Sequence, residues 1–312
     1  MAAASTIDRI AILEWGDHPC PPKHLRDQLS GLGCEVVVRD VADLADCDGA
    51  VTVYHHDEFL DSVEWVHTIR SGYEDFPLDA YEDRDITLTN STGIAGDLVA
   101  ETAIGLLMMQ AKGLHRYRDR QNDADWERIP WQRPFELGQS SVCVVGLGAL
   151  GGSVATRAGV LGMDVWGVDV RPVSSLGLDR VYDVGRVSEA VADARFVVLT
   201  TPLLESTRGL IGADELEAMR EDAFLVNVSR GEIVDQDALV AALESGEIAG
   251  AALDVFATEP LPDDSPLWEM EEVIATPHAA AQSDNYGEKV GRLVATNARC
   301  LNGGRDPWNR IV

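Results

Sequence analysis

The chain has 312 residues, 46% of them hydrophobic, enough for one large or two ordinary domains with cores of their own. Its 53 acidic side chains against 25 basic ones give a formal charge of -28. Phosphates would be repelled by such a surface, so nucleic acid is not expected as a partner. In chain order, the first part alternates short apolar runs with helical patterns: "RIAIL", "EVVVR", "AVTVY", "WVHTI" and "ITLTN". That is an α/β pattern by itself. Next comes one helix-like run, "DLVAETAIGLLMMQAKGLHRYRD", expected to bridge to a second region.

The second region opens at "SVCVV", followed by the turn "GLGALGG" and the helix-like "VATRAGVLG". The strands "VWGV", "FVVLT", "AFLVNV", "AGAALDV" and "EVIATPH" follow, separated by helices such as "ADELEAMR" and "DQDALVAALESG". The last of these helices has Asp235 as its expected N-cap and Gly246 as its expected C-cap. Strand–helix alternation of this kind implies a parallel, doubly wound sheet. A final helix, "DNYGEKVGRLVATNARCL", is expected to pack back on the first region.

Gly146, Gly148 and Gly151 stand in the order G-x-G-x-x-G between a strand and a helix, and Asp169 closes the next strand. In a dinucleotide fold the first glycine makes the tight turn and the second admits the pyrophosphate. The third lets helix and strand pack, and the acid receives the ribose hydroxyls. Ala149 and Leu150 complete the loop. Arg171, followed by Pro172, follows the acid closely and offers a partner for a 2′-phosphate, so both NAD and NADP are expected to be usable. Ligands of such sheets sit at the carboxyl ends of the strands. There the sequence places Thr201-Pro202, Val228-Ser229-Arg230-Gly231, Asp254 and Pro277-His278. Taken singly, Arg230 also reads as a surface arginine, Asp254 as a helix cap and His278 as a satisfied histidine.

Several stretches resemble the D-isomer-specific 2-hydroxyacid dehydrogenases. They are "NSTGIAGDLVAETAIGLLM", "VVGLGALGGSVATRAGVLGMDVWGVD", "NVSRGEIVDQDALVAALESGEIAGAALDVFATEPLPDDSPLW" and "VIATPHAA". The resemblance is specific from about residue 90 to 282 and looser before that. It implies two α/β domains around a cleft and hydride transfer between NAD(P)H and a 2-keto acid. The expected architecture is therefore two doubly wound parallel-sheet domains. A smaller, flavodoxin-like substrate domain takes residues 1–98 and 284–312, and a Rossmann cofactor domain takes 99–283. Carried over residue by residue, the resemblance makes His278 the acid/base, Glu259 its partner and Arg230 the substrate anchor. "IRSGYEDFP" occupies the place of the family's carboxylate-holding turn, which nominates Ser71, Gly72 and Tyr73 through a nest of backbone amides. Tyr54 and Trp15, each closing a strand, read either as pocket walls or as core. Glu101 matches the family pattern and reads as structural.

The chemistry suits these residue types. Reducing a keto group takes hydride on carbon and a proton on oxygen, and imidazolium can give that proton near neutral pH. A carboxylate beside it favours the charged form. Arginine can bind a carboxylate with two hydrogen bonds. The expected function is 2-keto acid reduction and its reverse. Glyoxylate/hydroxypyruvate reductase, phosphoglycerate dehydrogenase and a non-enzymatic dinucleotide-binding corepressor stand as alternatives. No metal site is expected, since the five cysteines form no C-x-x-C pair. Free thiols and a start, "MAAASTIDRI", without a long apolar run point to a cytoplasmic protein. The uncharged run Gly138–Thr156 approaches the length of a membrane span, but its glycines and serines read as strand–turn–helix. The only lysines are Lys23, Lys112 and Lys289; with the acidic surface, this leads us to expect a high-salt cytosol that screens self-repulsion. The resemblance also implies a homodimer, for which Trp126 and Trp131 offer exposed-looking aromatics.

Overall fold

A computed structural model describes residues 6–16, 20–171, 178 and 180–312. The chain divides into two compact units, Met1–Ala95 with Ala281–Val312, and Gly96–Ala280.

The first unit holds a five-stranded parallel sheet of β1 (Arg9–Leu13), β2 (Glu35–Arg39), β3 (Gly49–Thr52), β4 (Trp65–Thr68) and β5 (Thr87–Thr89). Its strand order is β2-β1-β3-β4-β5. That is the doubly wound order of flavodoxin-like folds, with the switch point between β1 and β3. Three of its helices are short: α1 (Pro22–Gln28), α2 (Phe59–Ser62) and α3 (Leu78–Glu82). β3 and β4 are buried at every position, as expected of central strands covered on both faces. The C-terminal helix packs on α1, where Gly287 and Gly291 leave room for His24 and Gln28.

The second unit begins with α4 (Gly96–Lys112) and α5 (Leu114–Asn122). The single helix expected here is therefore two. Gly113 between them is left-handed (φ 62°), which ends α4 and redirects the chain. α4 buries Leu98, Val99, Ala103, Leu106 and Leu107, whereas α5 buries no residue. The seven-stranded sheet contains β6 (Ser141–Val145), β7 (Asp164–Val168), β8 (Val181–Tyr182), β9 (Phe196–Leu199), β10 (Phe224–Asn227), β11 (Gly250–Leu253) and β12 (Val273–Ala275). The helices between them are α6 (Ala149–Val160), α7 (Val187–Ala192), α8 (Ala213–Ala218) and α9 (Gln236–Ser245), and α10 (Tyr286–Asn302) is the C-terminal helix of the first unit.

This sheet runs β12-β11-β10-β9-β6-β7-β8, all parallel. Read from the other edge, it is the Rossmann order with one strand added, and its switch point lies between β6 and β9. α9 has the expected caps: the Asp235 carboxylate accepts from the Ala238 N–H, and Gly246 is left-handed. Among the described residues no helix is long and apolar enough to cross a membrane.

Candidate active site

Strand register builds the site. Val145 pairs with Val168 and Leu199, Leu199 with Asn227, Asn227 with Leu253, and Leu253 with Ala275. The strands thus end level, and the residues that follow form one row: Asp169, Gly146, Thr200, Val228, Asp254 and Thr276. Backbone bonds continue the ladder through the row, with Gly146 N–H to Val168 O, Thr200 N–H to Val145 O and Asp254 N–H to Asn227 O. Every polar residue that the sequence analysis placed past a strand of this unit lies in this row or within two residues of it.

The glycine loop opens the row. Gly146 has φ 94°, and a Cβ there would press on Thr201. A Cβ on Gly151 would overlap the Gly146 carbonyl oxygen, so helix and turn can approach only with glycine at both places. Gly148 differs: it and Ala149 are exposed, and nothing lies within 4 Å of the space a Cβ would take. Gly148 is also the N-cap of α6 and has no side chain to close that end. The first N–H groups of α6, those of Ala149, Leu150 and Gly151, therefore carry no side-chain cap. An open helix N-terminus with room in front of it suits a pyrophosphate.

Asp169 is buried and accepts from the Leu147 N–H (2.8 Å) on one oxygen. Its other oxygen accepts from the Arg171 N–H (2.9 Å) and Nε (3.3 Å). Burial alone would raise this carboxyl, but these donors hold it below the usual aspartate value. The Arg171 side chain remains mostly exposed, and Pro172 lies outside the described residues. Of the two threonines after β9, the Thr200 hydroxyl bonds back to the glycine loop, 2.6 Å from the Gly146 carbonyl. The Thr201 hydroxyl is buried among the described residues without a hydrogen-bond partner. Pro202 beside it is exposed. Sequence reading picked out Thr201 and passed over Thr200, because neither hydroxyl's direction is legible in a "TT" pair.

The other end of the row carries the titratable groups. Nδ1 of His278 lies 2.8 Å from Oε2 of Glu259, and the other Glu259 oxygen accepts from the Phe256 N–H. An ionised carboxylate only accepts, so Nδ1 carries the proton and Nε2 is the nitrogen left for reaction. Burial would raise the Glu259 carboxyl, yet the His278 and Phe256 donors, with the Arg230 and His278 charges, bring it below its usual value. His278 is half-exposed with φ 51°, and its N–H donates to the Asp254 carbonyl (2.8 Å).

Asp254 was expected to face the cofactor. Instead its buried carboxylate accepts from the Thr276 hydroxyl (2.6 Å) and from the N–H groups of Ala279 and Ala280 (both 2.9 Å). It braces the loop that presents His278. Ser229 is likewise turned inward, its hydroxyl and N–H both directed to the Asn227 side-chain oxygen, and Val228 is buried. Arg230 is half-buried, and one guanidinium nitrogen donates to the Ser229 carbonyl. The next residue, Gly231, lies so close to Phe256 that a Cβ would overlap the latter's carbonyl. This contact locks the Arg230 loop against the segment leading to Glu259, and sequence reading missed it.

Ser71, Gly72 and Tyr73 follow β4 in the first unit. Gly72 is not left-handed, so the turn lacks the alternating-handed residue that an amide nest of that type requires. Two of its carbonyls are pinned, Arg70 O by the Ser91 N–H and Ser71 O by the Asn90 side chain. Among the described residues the three N–H groups find no acceptor. On α4, Glu101 is exposed and lies 3.7 Å from Arg157, within the second unit.

A family model described as "D-isomer specific 2-hydroxyacid dehydrogenase, NAD binding domain" matches residues 104–280. The chain belongs to this family. It is an α/β oxidoreductase that carries an NAD-binding domain and interconverts 2-keto acids and D-2-hydroxy acids. A glyoxylate reductase of Korarchaeum cryptofilum is 33% identical over 77% of this dehydrogenase and 73% of the relative. A D-3-phosphoglycerate dehydrogenase of Methanocaldococcus jannaschii is 32% identical over 72% of this chain but only 43% of its own length. Among solved structures, an NADPH-dependent glyoxylate/hydroxypyruvate reductase of Sinorhizobium meliloti superposes with a TM-score of 0.85 at 26% identity, covering 97% of each chain. The comparisons do not bear out the high-salt setting expected from the charge.

Proposed function

We propose that this dehydrogenase works as a 2-keto acid reductase with His278 as acid/base, Glu259 as its partner and Arg230 as substrate anchor. The pair of Nδ1 and Oε2 at 2.8 Å carries the reading. Glu259 orients the imidazole through Nδ1, and Nε2 gives its proton to the carbonyl oxygen. Arg230 pairs with the substrate carboxylate and draws density from the carbonyl. In the first unit the Ser71–Tyr73 amides, without acceptors among the described residues, offer donors to a carboxylate, and in the second unit Asp254 positions His278 through the 276–280 loop. A bound nicotinamide supplies the hydride in reduction and takes it back in the reverse direction. Gly146–Gly151 hold its pyrophosphate, and Thr201 offers a hydroxyl that has no partner among the described residues.

NADH and NADPH both serve in this reading. Asp169 is already half satisfied by protein donors, and the exposed Arg171 guanidinium can leave it for a 2′-phosphate. Glyoxylate/hydroxypyruvate reduction is the activity that the relatives' names favour. A cytoplasmic homodimer is proposed as well: the five thiols are unpaired, and Trp126 (100% exposed) and Trp131 (84%) offer apolar surface. Light scattering that gives a 33.8 kDa particle would reject the dimer.

The deciding experiment is turnover of 2-keto acids followed by loss of reduced-cofactor absorbance, with His278→Ala beside the unaltered enzyme. The variant should lose about 10²–10⁴-fold in kcat and keep its cofactor Kd. A kcat within a few-fold of the unaltered enzyme removes His278 from the mechanism.

A further inference from the structure

We propose that β2, an edge strand of the first sheet, pairs antiparallel with β2 of a second copy of this chain and joins two five-stranded sheets into one. The pairing uses the first unit alone.

The two edges of this sheet are finished differently. At one edge the C-terminal residues lie antiparallel to β5. Thr89 is bridged to Arg310, the Ile311 N–H donates to the Leu88 carbonyl (2.8 Å), and the Asn90 N–H donates to the Asn309 carbonyl (3.1 Å). The other edge is β2. Its bonds to β1 begin with the Glu35 N–H on the Asp8 carbonyl and end with the Glu14 N–H on the Arg39 carbonyl. Backbone groups of successive strand residues point to alternate sides. Glu35, Val37 and Arg39 therefore face β1, and the N–H and C=O groups of Val36 and Val38 face away from it. Among the described residues those outward groups have no partner.

Edge strands are commonly kept short, bulged, or broken by proline or lysine. In the second unit the edge strands β8 and β12 have two and three residues. β2 has five, three of them valines in succession, and its register with β1 is unbroken from Glu35 to Arg39.

The strand is also complementary to itself. In "EVVVR" an antiparallel partner centred on Val37 sets Glu35 opposite Arg39 of the second copy, and Arg39 opposite its Glu35. Val36 then meets Val38 of the second copy, and each such pair exchanges both backbone bonds, so the outward groups of both strands are satisfied. The two charge pairs fall at the non-hydrogen-bonded positions, where Cα atoms come within about 4.5 Å and side chains meet most closely. A shift by two residues, the smallest that keeps outward groups opposite each other, sets a charge against Val37 instead. Arg39 is available for this contact: it forms no ion pair among the described residues, although the chain has 53 acids against 25 bases. Glu35 is held at the edge by Arg9 (3.1 Å), with its side chain still 59% exposed. A two-fold contact between identical strands is the isologous arrangement that closes a pair of subunits.

The test is sedimentation velocity of the full chain in about 0.15 M salt, which screens charges beyond roughly 8 Å but not a pair in contact. Glu35→Arg and Arg39→Glu each set like charges opposite one another at both ends of the paired strands. Either variant alone should raise the dissociation constant of self-association roughly tenfold or more. Mixed in equal amounts, the two should associate as tightly as the unaltered enzyme, because every Glu again meets an Arg. Val38→Pro removes an N–H that no group of its own copy uses, and it should weaken association as the reversals do. Thermal unfolding close to that of the unaltered enzyme is the folding control for all three. The dimer proposed at Trp126 and Trp131 does not respond to these variants, so the two contacts are separable. Single reversals that associate like the unaltered enzyme, or an unaltered enzyme that sediments as a monomer throughout, would overturn the pairing. Weakened single variants whose mixture stays apart would overturn it as well, since the register makes them complementary.

Discussion

Two helices of the NAD-binding unit begin in opposite ways. α9 starts at Asp235, whose carboxylate accepts from the Ala238 N–H, so the helix closes its own end. α6 starts at Gly148, which has no side chain, is exposed and faces open space. Both ends carry the same partial positive charge and the same surplus of N–H donors. One surplus is met by the chain itself. The other is left open, which the proposed reading assigns to the pyrophosphate, and the glycine there costs the helix the stability a cap would add. The same division runs along the strand ends: Asp254 and Ser229 are turned inward to brace loops, while Thr201 and Arg171 are left with capacity to spare.

The largest effect should come from erasing the difference. Gly148→Asp gives α6 the cap that α9 has; Gly148 has φ -70° and ψ -160°, extended backbone that any residue adopts. The unliganded protein should become more stable by up to about 1 kcal/mol, read by thermal unfolding. The same carboxylate would face the pyrophosphate, and the Kd for NADH should rise roughly 100-fold or more, read by fluorescence titration. An unchanged Kd would mean that the pyrophosphate does not sit at this helix end.

Removing Arg171 tests the spare cation. Arg171→Ala should lower kcat/KM for NADPH by roughly tenfold and change NADH much less, because only the 2′-phosphate gains the guanidinium. Equal losses with the two cofactors would place the guanidinium away from the ribose, and strict NAD use would follow.

The converse of the first experiment is smaller. Asp235→Ala uncaps α9 and should cost about 1 kcal/mol of stability. Cofactor Kd should not move, since nothing is held at that end. A shift in Kd would show that the two helix ends are coupled.

Glu259 gives the mildest change, on the pH axis. Its carboxyl is held low in the folded chain, so the stability it contributes is complete above the unfolded value of about 4.3 and fades as pH falls through the folded value. Glu259→Gln should flatten the acid side of the stability profile. It should also lower kcat for keto acid reduction a few-fold, because the imidazole loses the carboxylate that orients it. Profiles that overlay those of the unaltered enzyme would reduce Glu259 to a surface acid.

Much of the architecture was legible because it follows from local rules. Short β-branched runs between helical patterns specify parallel strands, and the expected caps of α9 lie in their expected places. The bridging helix was misjudged because its apolar period continues in the letters past Gly113, where the backbone turns left-handed and α5 loses its core contacts. At "RSGY" the residue types suggested an amide nest, yet Gly72 takes an ordinary conformation. Among the described residues the turn's three N–H groups find no acceptor, while Asn90 and Ser91, a strand away, donate to the carbonyls of Ser71 and Arg70.

By itself, then, the sequence determined which residues could do the chemistry and in what order they meet the strand ends: the glycines, Asp169, Arg230, Glu259 and His278. Spacing and residue type suffice for the glycines, Asp169 and the row of polar residues past the strand ends, since each βα unit is built locally, whereas the roles proposed for Arg230, Glu259 and His278 come from the family resemblance. Only the tertiary structure decided which of them are spent on the fold. Asp254 was drawn to the His278 loop, Thr200 to the glycine turn, and Gly231 under Phe256, because parallel strands in register end level and bring residues far apart in the chain within bonding distance. Hydrogen-bond capacity is settled by those neighbours, and neighbours across a sheet are not written in any local stretch of sequence.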